Sequence, residues 1–563
     1  MALHPIAGAH HRVGRYREIV RALTRHGFGY LLDQSGLGET ASASFRLITR
    51  SSREGYSSLP APRRLRLAIE ELGTVAIKLG QFLSTRPDLL SEEFLRELES
   101  LQDTVPPFPY EQVRAQVQAE LGYPLEELFA SFEPEPIAAG SLAQVHLAQL
   151  PSGEDVVVKV QRPEIEETIE EDLSILADLA AALEQRTEWA RLWGLADLAA
   201  ELSRTLGEEL DFTGEGHNAD LIRENSEGEP EVWIPRVHWD RTSRRVLTLE
   251  RVGGLKISDT AGLEAAGADL RAIAHTFARV TLKHMLLDGF FHGDPHPGNV
   301  LVDSSGRIVL MDFGMVGEVD EEMRSKLVAL VMALVHRDVD RLARALLAIA
   351  ASDTRTRVDE GELRRDLRRL LRRYYRMPLR EVPVSEALNE TASLARKHHV
   401  RMPADLMLLV KALVTIEGIA TQLDPEISIV DVAEPFGREL MAQRFSLRRV
   451  RSDAVDSLVG ASDFAMALPG RFNSLLEQVE RGQLTLRTDA VRDEEERWER
   501  ERLVNRVALA LVVAGGSAGS GLLLQASVGP IVWGIPVLGI VALLLAMSLG
   551  LLLVLGILRS GRF

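Results

Sequence analysis

The sequence contains no cysteine, so disulfide bonds, thiolate catalysis and zinc–thiolate sites are excluded. This absence is compatible with a reducing cytoplasm. Lysine is also scarce, because only seven of the 65 basic residues are Lys and the others are Arg. With a formal net charge of −17, the chain lacks the basic surface that a phosphate backbone requires, and we expect no nucleic-acid partner. Its 563 residues are enough for several domains.

The first 30 residues contain no apolar run, and we therefore do not expect them to form a secretory signal. Scattered Arg and His residues leave two interpretations, a surface amphipathic helix and an Arg-containing transit peptide. The amphipathic helix is favoured, and residues 1–60 are interpreted as a helical lead-in.

Two long uncharged runs lie at the C-terminus. Residues 507–526 and 531–558 carry no charge, and each reaches the roughly 20 residues needed to cross a bilayer core. Arginines precede the first run and follow the second, and basic flanks stay on the cytoplasmic side. The pattern predicts a transmembrane helical hairpin in the cell inner membrane, with both ends and the preceding domain in the cytoplasm. A buried soluble hairpin is the alternative.

Between these ends the chain alternates helical and strand patterns. Apolar residues recur at helical spacing from Leu65, and Ser91 is a suitable N-cap for a second helix. Residues 145–150 and 155–160 are typical of two strands around a Pro-Ser-Gly turn. The other expected elements are a helical stretch over 164–225, a strand over 246–250, a helix over 269–288, short strands over 300–302 and 308–311, mainly helical structure over 320–445 and a charged helix over 485–506.

The strongest polar pattern is His-Gly-Asp-Pro-His-Pro-Gly-Asn over 292–299, and Asp312 of an Asp-Phe-Gly element comes thirteen residues after Asn299. Phosphoryl transfer requires phosphates and metal ions to be positioned and neutralised. Asp294 is suited to orient or deprotonate an attacking hydroxyl, while Asn299 and Asp312 are suited to bind magnesium. The order and spacing match the protein-kinase catalytic loop and its Asp-Phe-Gly element.

An alternative interpretation makes His292, Asp294 and His296 the ligands of a metal ion, because they alternate along the chain. It leaves the two prolines of the loop and the downstream Asp-Phe-Gly unexplained. Phosphoryl transfer is therefore favoured.

Lys159 ends the apolar sequence Val-Val-Val-Lys, where a buried ammonium is costly unless it is paired. In kinases a lysine at this place contacts the α- and β-phosphates of ATP and pairs with a helix Glu. The acidic stretch 208–215 offers Glu209 and Glu215, which are six residues apart and do not share one face of a regular helix. The two carboxylates therefore need different partners.

The segment before the first strand, residues 136–145, occupies the place of a kinase Gly-rich phosphate loop. Alanines replace most of the glycines, and each methyl group stiffens the loop and restricts close approach of phosphates.

With these residues the chain resembles the UbiB (AarF/ADCK) family of atypical kinases over about residues 60–450. The most specific marker is Lys78-Leu79-Gly80-Gln81, the family's Lys-x-Gly-Gln motif. Ser-Thr-Arg-Pro-Asp over 84–88, Leu-Gln-Asp over 101–103, the alanine-rich loop and Glu209-x-Asp211 also look like the family and occur in its order.

The resemblance implies an α+β, two-lobed protein-kinase-like fold with an added N-terminal helical domain and a C-terminal transmembrane helical hairpin. In the family the added domain lies over the place where a protein kinase binds its peptide. The expected divisions are a lead-in over 1–60, a helical extension over 61–130, a small lobe with a helical insert over 131–255, a large lobe over 256–450, a charged linker helix over 451–506 and a transmembrane hairpin over 507–558.

The resemblance also implies ATP and Mg²⁺ as cofactors, with Asp294 and Lys159 as catalytic residues and Asn299 and Asp312 as metal ligands. Lys78 would pair with Glu209, and Lys159 with Glu215. The implied nucleotide-binding residues are Ile137, Ala138, Ala139, Gly140, Ser141, Gln144, Val145, Lys159, Glu215, Glu250 and Val252. The implied regulatory residues are Lys78, Gly80, Gln81, Glu209 and Asp211.

Several departures refine the expected function. Gly293 replaces the usual Arg of the kinase catalytic loop, and no Ala-Pro-Glu follows the Asp-Phe-Gly element, so peptide recognition is disfavoured. Gly140 stands where many family members have a third alanine, which predicts a more flexible loop.

The leading hypothesis is a membrane-anchored ATPase or small-molecule kinase that supports isoprenoid-quinone (ubiquinone-type) synthesis, with water as one acceptor. Its expected partners are a membrane lipid or prenyl-quinone intermediate and enzymes of quinone synthesis, and the family resemblance allows a homodimer. The alternatives are a nucleotide-sensing, lipid-binding pseudokinase scaffold and a phosphotransferase that acts on a small metabolite.

Overall fold

The computed structural model describes residues 5–29, 59–101, 105–335, 338–350, 358–374, 377 and 383–444, with 531–532, 535–536, 544–545 and 547–548 near the C-terminus. The chain divides into two compact units, Met1–Val450 and Arg451–Phe563.

The α-helices of the first unit are, in chain order, α1 (Pro5–Arg25), α2 (Ala61–Leu72), α3 (Thr74–Ser84), α4 (Glu92–Glu99), α5 (Tyr110–Leu121), α6 (Leu125–Leu128), α7 (Ile165–Arg186), α8 (Glu188–Trp193), α9 (Leu195–Glu209), α10 (Phe212–Asn225), α11 (Thr260–Ala265), α12 (Leu270–Lys283), α13 (Glu321–Val335), α14 (Val339–Ile349), α15 (Glu360–Tyr374), α16 (Val384–Lys397), α17 (Ala404–Leu423) and α18 (Ile429–Arg444).

The β-strands of this unit are β1 (Ser131–Phe132), β2 (Ala138–Ala139), β3 (Ala143–Gln149), β4 (Asp155–Gln161), β5 (Val232–Trp233), β6 (Val246–Glu250), β7 (Leu255–Lys256), β8 (Phe290–His292), β9 (Val300–Val302), β10 (Ile308–Leu310) and β11 (Val316–Glu318). A 3₁₀ turn (Trp239–Arg241) precedes β6, and a π-helical turn (His284–Asp288) extends α12.

Helices α2, α3 and α4 form a small apolar cluster around Ile69, Leu98 and Leu101. Gly73 separates α2 from α3 with a φ of 85°, a left-handed conformation that glycine adopts at no steric cost. Gly80 lies in close contact with its surroundings, since an added β-carbon would be 2.3 Å from Leu101 Cδ1 and 3.3 Å from Ile69 Cδ1. The glycine of the Lys-x-Gly-Gln motif thus leaves room for these two side chains.

A buried ion pair connects this helical extension to two distant parts of the chain. Arg86 is 2% exposed, and its guanidinium donates two 2.9 Å hydrogen bonds to the Asp88 carboxylate. It also lies 3.1 Å from a Glu201 carboxylate oxygen on α9 and donates to the carbonyl oxygen of Met402 at 3.3 Å. Arg396 of α16 donates to the backbone of the same segment. The extension is therefore held against the residues that precede α17.

The small-lobe sheet has the order β1-β3-β4-β6, with β2 paired to β3, and the pairs are antiparallel. Along β4, Val156, Val158 and Val160 are completely buried and share an apolar cluster with residues of α5. The period of two places Lys159 on the opposite face of the strand. In the Val-Val-Val-Lys-Val sequence, three valines therefore face the small-lobe core, and Lys159 lies on the opposite face of β4.

The stretch 164–225 is helical, as predicted, but it consists of four helices, α7 to α10. The breaks include Thr187, which is extended, and Gly194, which has a φ of 57°. A further break separates α9, which ends at Glu209, from α10, which carries Glu215. The two carboxylates therefore belong to different helices, which explains why they point to different partners.

The large lobe combines a second sheet, of order β5-β10-β9-β7, with the antiparallel pair β8-β11. Strand β5 runs parallel to β10, and β9 is antiparallel to both of its neighbours. Helices α12, α17 and α18 pack around one continuous core that includes Phe277, Phe291 and Ile416. The predicted strands at 300–302 and 308–311 and the predicted helix at 269–288 are present here, with ends shifted by at most a few residues.

Among the described residues, one helix is long and apolar enough to span a membrane, α17, and half of it is buried inside the protein. It supplies Leu406, Leu409, Ala412 and Ile416 to the large-lobe core.

The predicted transmembrane hairpin falls almost entirely outside the described residues. Within it, Ile531–Val532 pairs antiparallel with Ile535–Pro536, which differs from the helix expected to begin at Ile531. Proline lacks the amide proton that a helix interior requires, and it disfavours a helical conformation for the residue before it. The residues 544–545 and 547–548 are helical.

Candidate nucleotide and metal site

The loop from Gly293 to Asn299 joins β8 to β9, and Asp312 follows β10, which pairs with β9. His292 ties them together: its Nε2 donates to the Met311 carbonyl at 2.9 Å, and its Nδ1 accepts from the Asp294 amide at 3.1 Å. The side chain is buried, and burial lowers the pKa of His292 below its usual value. A neutral imidazole with both nitrogens engaged holds the loop in place.

These contacts argue against the alternative metal site. The nitrogens of His292 are both used, and Nδ1 of His296 accepts a 2.9 Å hydrogen bond from the Gly298 amide. In the part of the chain that the structure describes, no three His, Asp or Glu side chains are grouped so that they could hold a metal ion. His292 and His296 thus shape the loop.

Asp312 occupies a strained backbone position beside Lys159. Its φ is +59°, which is uncommon for a residue other than glycine and is often found at functional sites. Its side chain is 55% exposed and lies 3.9 Å from Lys159 Nζ. The Lys159 ammonium lowers the pKa of Asp312, and Lys78 acts in the same direction. The carboxylate is therefore ionised and accessible, as a metal ligand must be.

Asn299 is held near Asp312 by the backbone, because the Met311 amide donates to the Asn299 carbonyl at 2.9 Å. Its side-chain Nδ2 donates to the Asp294 carbonyl at 3.2 Å, and this hydrogen bond does not involve the side-chain oxygen of Asn299. A carboxylate and an amide oxygen are the hard oxygen ligands that Mg²⁺ prefers. The residues present therefore fit a magnesium ion.

Lys159 and Glu215 form the ion pair that the resemblance implied. Lys159 Nζ lies 2.7 Å from Glu215 Oε2, and it also lies 5.1 Å from the ring centroid of Phe212. Burial alone would lower the pKa of Lys159, but the charges of Glu215 and Asp312 raise it above its usual value. The lysine is therefore a fixed cation, positioned by a strand on one side and by helix α10 on the other.

A second implied ion pair lies beside the first. Lys78 Nζ of α3 is 2.7 Å from Glu209 Oε2 at the end of α9. Asp211 caps the next helix, α10, by accepting hydrogen bonds from the Thr213 amide and hydroxyl at 3.0 and 2.6 Å. Gln81 is half-buried on α3. Because Lys78 also lowers the pKa of Asp312, the helical extension acts electrostatically on the site.

The alanine-rich loop is a tight hairpin. Ala138 pairs with Val145, and the Gly140 amide donates to the Ala143 carbonyl at 2.8 Å. Leu142 at the tip is buried in a cluster that includes Val75 of α3. The flexibility expected from Gly140 is opposed by this anchor, and by a 3.1 Å hydrogen bond from the Arg162 guanidinium to the Gly140 carbonyl.

Some of the other residues expected to contact the nucleotide lie near Lys159 or at the surface, and others are completely buried. Val145 lies directly opposite Lys159 in the sheet, and the side chain of Ile137 is exposed. Ala139 is half-buried in β2. Gln144 and Ser141 are completely buried, and the Gln144 amide oxygen accepts from the Phe108 amide at 2.9 Å. Gln144 therefore has a structural contact in this conformation.

Glu250 and Val252 lie in the segment of chain that connects the two lobes. Glu250 ends β6 of the small-lobe sheet, where it pairs with Val156. Five residues later β7 begins, and it belongs to the large-lobe sheet. The Glu250 carboxylate accepts from the Arg236 amide at 3.2 Å. A nucleotide bound between the lobes would meet this segment.

Sequence reasoning missed one contact of the site. Lys411 of α17 places its Nζ 2.8 Å from Asp294 Oδ1. Leu408, three residues earlier on the same helix, lies against Gly293, where an added β-carbon would be 2.6 Å from Leu408 Cδ2. The only available signal was a single lysine inside an otherwise apolar stretch over 406–414.

Three family models match parts of this chain. The family described as ABC1 atypical kinase-like domain matches residues 100–346, the UbiB helical domain matches residues 367–428, and the ABC1/UbiB kinase-like C-terminal domain matches residues 494–559.

Several relatives extend over most of the chain. A protein named "Probable protein kinase UbiB" from Xanthomonas campestris pv. campestris is 35% identical over 91% of this chain and 93% of its own length. One of the same name from Marinobacter nauticus is 35% identical over 81% and 84%. The uncharacterized protein sll1770 of Synechocystis sp. is 36% identical over 77% and 74%. A solved complex of Rv3197 with erythromycin from Mycobacterium tuberculosis is 24% identical over 65% of this chain and 93% of that chain, with a TM-score of 0.45.

Proposed function

This chain belongs to the UbiB family of ABC1 atypical kinases, and on that premise we propose that it is a membrane-anchored, Mg-ATP-consuming enzyme that supports isoprenoid-quinone synthesis. Its kinase-like domain faces the cytoplasm, and the apolar residues 507–558 anchor it in the inner membrane. The acceptor of the phosphoryl group is water or a small molecule.

The observation that carries this proposal is the meeting of three charged residues at one point. Lys159 lies 3.9 Å from Asp312 and is fixed at 2.7 Å by Glu215. Such a combination of a fixed cation and an exposed carboxylate suits the phosphates of a nucleotide and their metal ion. Asp294 and Asn299 lie on the adjoining loop, where one suits proton transfer and the other metal binding.

Each residue has a definite task in this scheme. When bound, Mg²⁺ supplies positive charge that neutralises the phosphate oxygens, and Asn299 and Asp312 would hold it. Lys159 binds the α- and β-phosphates through its ammonium. Asp294 orients the attacking hydroxyl or water and accepts its proton. Since little covalent chemistry is asked of the protein, positioning accounts for most of the catalysis.

We favour a small acceptor over a peptide because the chain is closely packed around the loop from Gly293 to Asn299. Strand β11 begins two residues after Gly314, so there is little room for an activation segment. Helix α17 packs on Gly293, and α3 brings Lys78 to Glu209 beside the nucleotide site. A membrane lipid or prenyl-quinone intermediate is the proposed ligand, with enzymes of quinone synthesis as proposed partners and a homodimer as one assembly.

The test is magnesium-dependent ATP turnover by the full-length protein in lipid vesicles, compared with Asp312→Asn. The variant should lose at least about 100-fold in kcat, because the metal loses a charged ligand. Asp240→Asn, which changes an exposed aspartate in the 3₁₀ turn, is the matched control and should behave as wild type. Absence of turnover in the wild-type protein, with normal nucleotide binding, would favour the scaffold alternative.

The Asp312→Asn variant also tests whether the protein takes part in quinone synthesis. Quinones and their precursors are profiled in cells that carry Asp312→Asn in place of the wild-type chain. Accumulation of a prenylated precursor supports the proposal, and an unchanged profile overturns the link to quinone synthesis. Transfer of the γ-phosphate to one specific metabolite would instead identify a small-molecule phosphotransferase.

A further inference from the structure

The loop from Gly293 to Asn299 contains no Lys or Arg, yet its aspartate is paired with a cation. Lys411 Nζ lies 2.8 Å from Asp294 Oδ1, and the two side chains are 28% and 27% exposed. A partly desolvated ion pair of this geometry restricts both side chains more than an exposed pair does. The cation comes from an element more than a hundred residues further along the chain.

Helix geometry explains how Lys411 reaches the loop. Leu408 and Lys411 are three residues apart and therefore lie on the same face of α17. Leu408 packs where a side chain at position 293 would otherwise be, since an added β-carbon would be 2.6 Å from Leu408 Cδ2. Gly293 thus permits the helix to approach closely enough for the lysine to contact the aspartate.

The position of Lys411 in α17 requires an explanation, because its neighbours are apolar. Leu409, Val410 and Ala412 are buried in the large-lobe core. An ammonium in such a place costs free energy unless a carboxylate compensates it. Asp294 is in direct contact, and the Glu99 carboxylate of α4 is close enough for Lys411 to act on its pKa, which burial raises.

We propose that Lys411 is the positioning residue of Asp294. Its ammonium, 2.8 Å from Oδ1, holds the carboxylate in one orientation, so that the second carboxylate oxygen can accept the proton of the attacking hydroxyl or water. An ammonium has three donors, so contact with Asp294 leaves it able to contact an anionic group as well. The inference deepens the proposed phosphoryl-transfer function and rests on it.

The first measurement compares Lys411→Met, Lys411→Arg and Lys326→Met in the magnesium-dependent ATP turnover of the full chain in lipid vesicles. Lys326 pairs with Glu322 on the surface of α13, and its side chain is 30% exposed, which matches Lys411. Lys411→Met should lower kcat about 10- to 100-fold, as expected for loss of one preorganised charge. The KM for ATP should change less than about threefold, because Lys159 and Asp312 bind the nucleotide. Lys411→Arg should recover most of kcat, and Lys326→Met should match wild type.

The second measurement is a double-mutant cycle with Asp294→Asn, followed with radiolabelled ATP. If Lys411 acts through Asp294, the effect of Lys411→Met should shrink to less than about twofold when the aspartate is absent. A structural role would instead lower kcat by the same factor in both backgrounds. Lys411→Gln, which keeps a hydrogen-bond donor, replaces Lys411→Met if the latter lowers the folded fraction.

The two proposals fail separately. If the wild-type protein turns over ATP but Lys411→Met equals Lys326→Met, the inference about Lys411 is wrong and the proposed function stands. If all four proteins bind a fluorescent ATP analogue and none turns it over, the proposed function fails.

Discussion

Gly293 and Leu408 are in such close contact that a β-carbon on residue 293 would lie 2.6 Å from Leu408 Cδ2. Protein kinases carry an arginine at this place of the catalytic loop. In this chain the space belongs to helix α17, which brings Lys411 to Asp294 as well. The glycine is thus a packing requirement of the C-terminal helices, and the catalytic loop and α17 form one structural unit.

This contact predicts that Gly293→Ala destabilises the protein by about 1–3 kcal/mol, since over-packing forces the helix or the loop to shift. Leu408→Ala removes the atoms that clash. In the Leu408→Ala background, Gly293→Ala should therefore cost clearly less than in wild type. Thermal unfolding of the single and double variants measures both effects, and additive losses would show that the two residues are not coupled.

A second prediction concerns the glycine of the Lys-x-Gly-Gln motif. Gly80→Ala places a methyl group 2.3 Å from Leu101 Cδ1, and we expect a loss of about 1–3 kcal/mol. Gly418 is the matched control, because it is an exposed glycine of α17 with no atom within 4 Å of an added β-carbon. Gly418→Ala should raise stability by about 0.5–1 kcal/mol through helix propensity. Thermal shifts of the same sign for both variants would contradict the packing role of Gly80.

A third prediction concerns the buried guanidinium that connects the extension to the large lobe. Arg86→Met leaves Asp88 and Glu201 without their partner, and the expected destabilisation is about 3–5 kcal/mol. Arg96→Met, in the next helix, removes an exposed ion pair with Glu92 and should cost at most about 0.5 kcal/mol. Unfolding midpoints in urea distinguish the two, and equal midpoints would mean that the buried pair contributes little.

A fourth prediction concerns acid stability. Burial lowers the pKa of His284 to about 3, and the side chain contacts Ser226 Oγ at 3.2 Å. Below the unfolded pKa of about 6.5, the unfolded chain binds a proton that the folded chain does not bind until about pH 3. This histidine therefore contributes stability above pH 6.5, and the contribution falls by about 1.4 kcal/mol per unit as the pH drops.

His284→Gln keeps a donor for Ser226 but removes the titrating ring. Unfolding of wild type and variant between pH 7 and pH 4 should give curves that differ in slope, with the variant less sensitive to acid. Parallel curves would mean that His284 does not titrate as its burial indicates.

Much of the site could be predicted from sequence because its signals are local. The Val-rich run over 155–160 after a Pro-Ser-Gly turn predicted the strand that carries Lys159, and the spacing from Asp294 to Asn299 matched that of a kinase catalytic loop. The separation of Glu209 and Glu215 indicated that the two carboxylates have different partners. The identity of those partners, Lys78 and Lys159, came only from the family resemblance.

The contacts that sequence did not predict are those between distant residues. Lys411 and Asp294 are 117 positions apart, and nothing in either segment identifies the other. The role of Arg86 as a buried ion pair with Glu201 depends on how helices pack, which propensity does not specify. At the C-terminus the apolar run from Ile531 predicted a helix, but Ile531–Val532 is a two-residue strand paired with Ile535–Pro536, and Pro536 opposes a helix.

The hydrogen bond from Arg86 to the Met402 carbonyl spans 316 residues, and this has a consequence for synthesis of the chain. A ribosome adds roughly 5–20 residues per second, so about 15–60 s pass between the appearance of the arginine and that of its acceptor. During this interval Val75 of α3 already has Leu142 and Leu206 to pack against, because both precede Met402 in the chain. Arg86 still lacks its acceptor in the segment before α17. The order of translation thus makes the bond between the N-terminal extension and that segment a late step of folding.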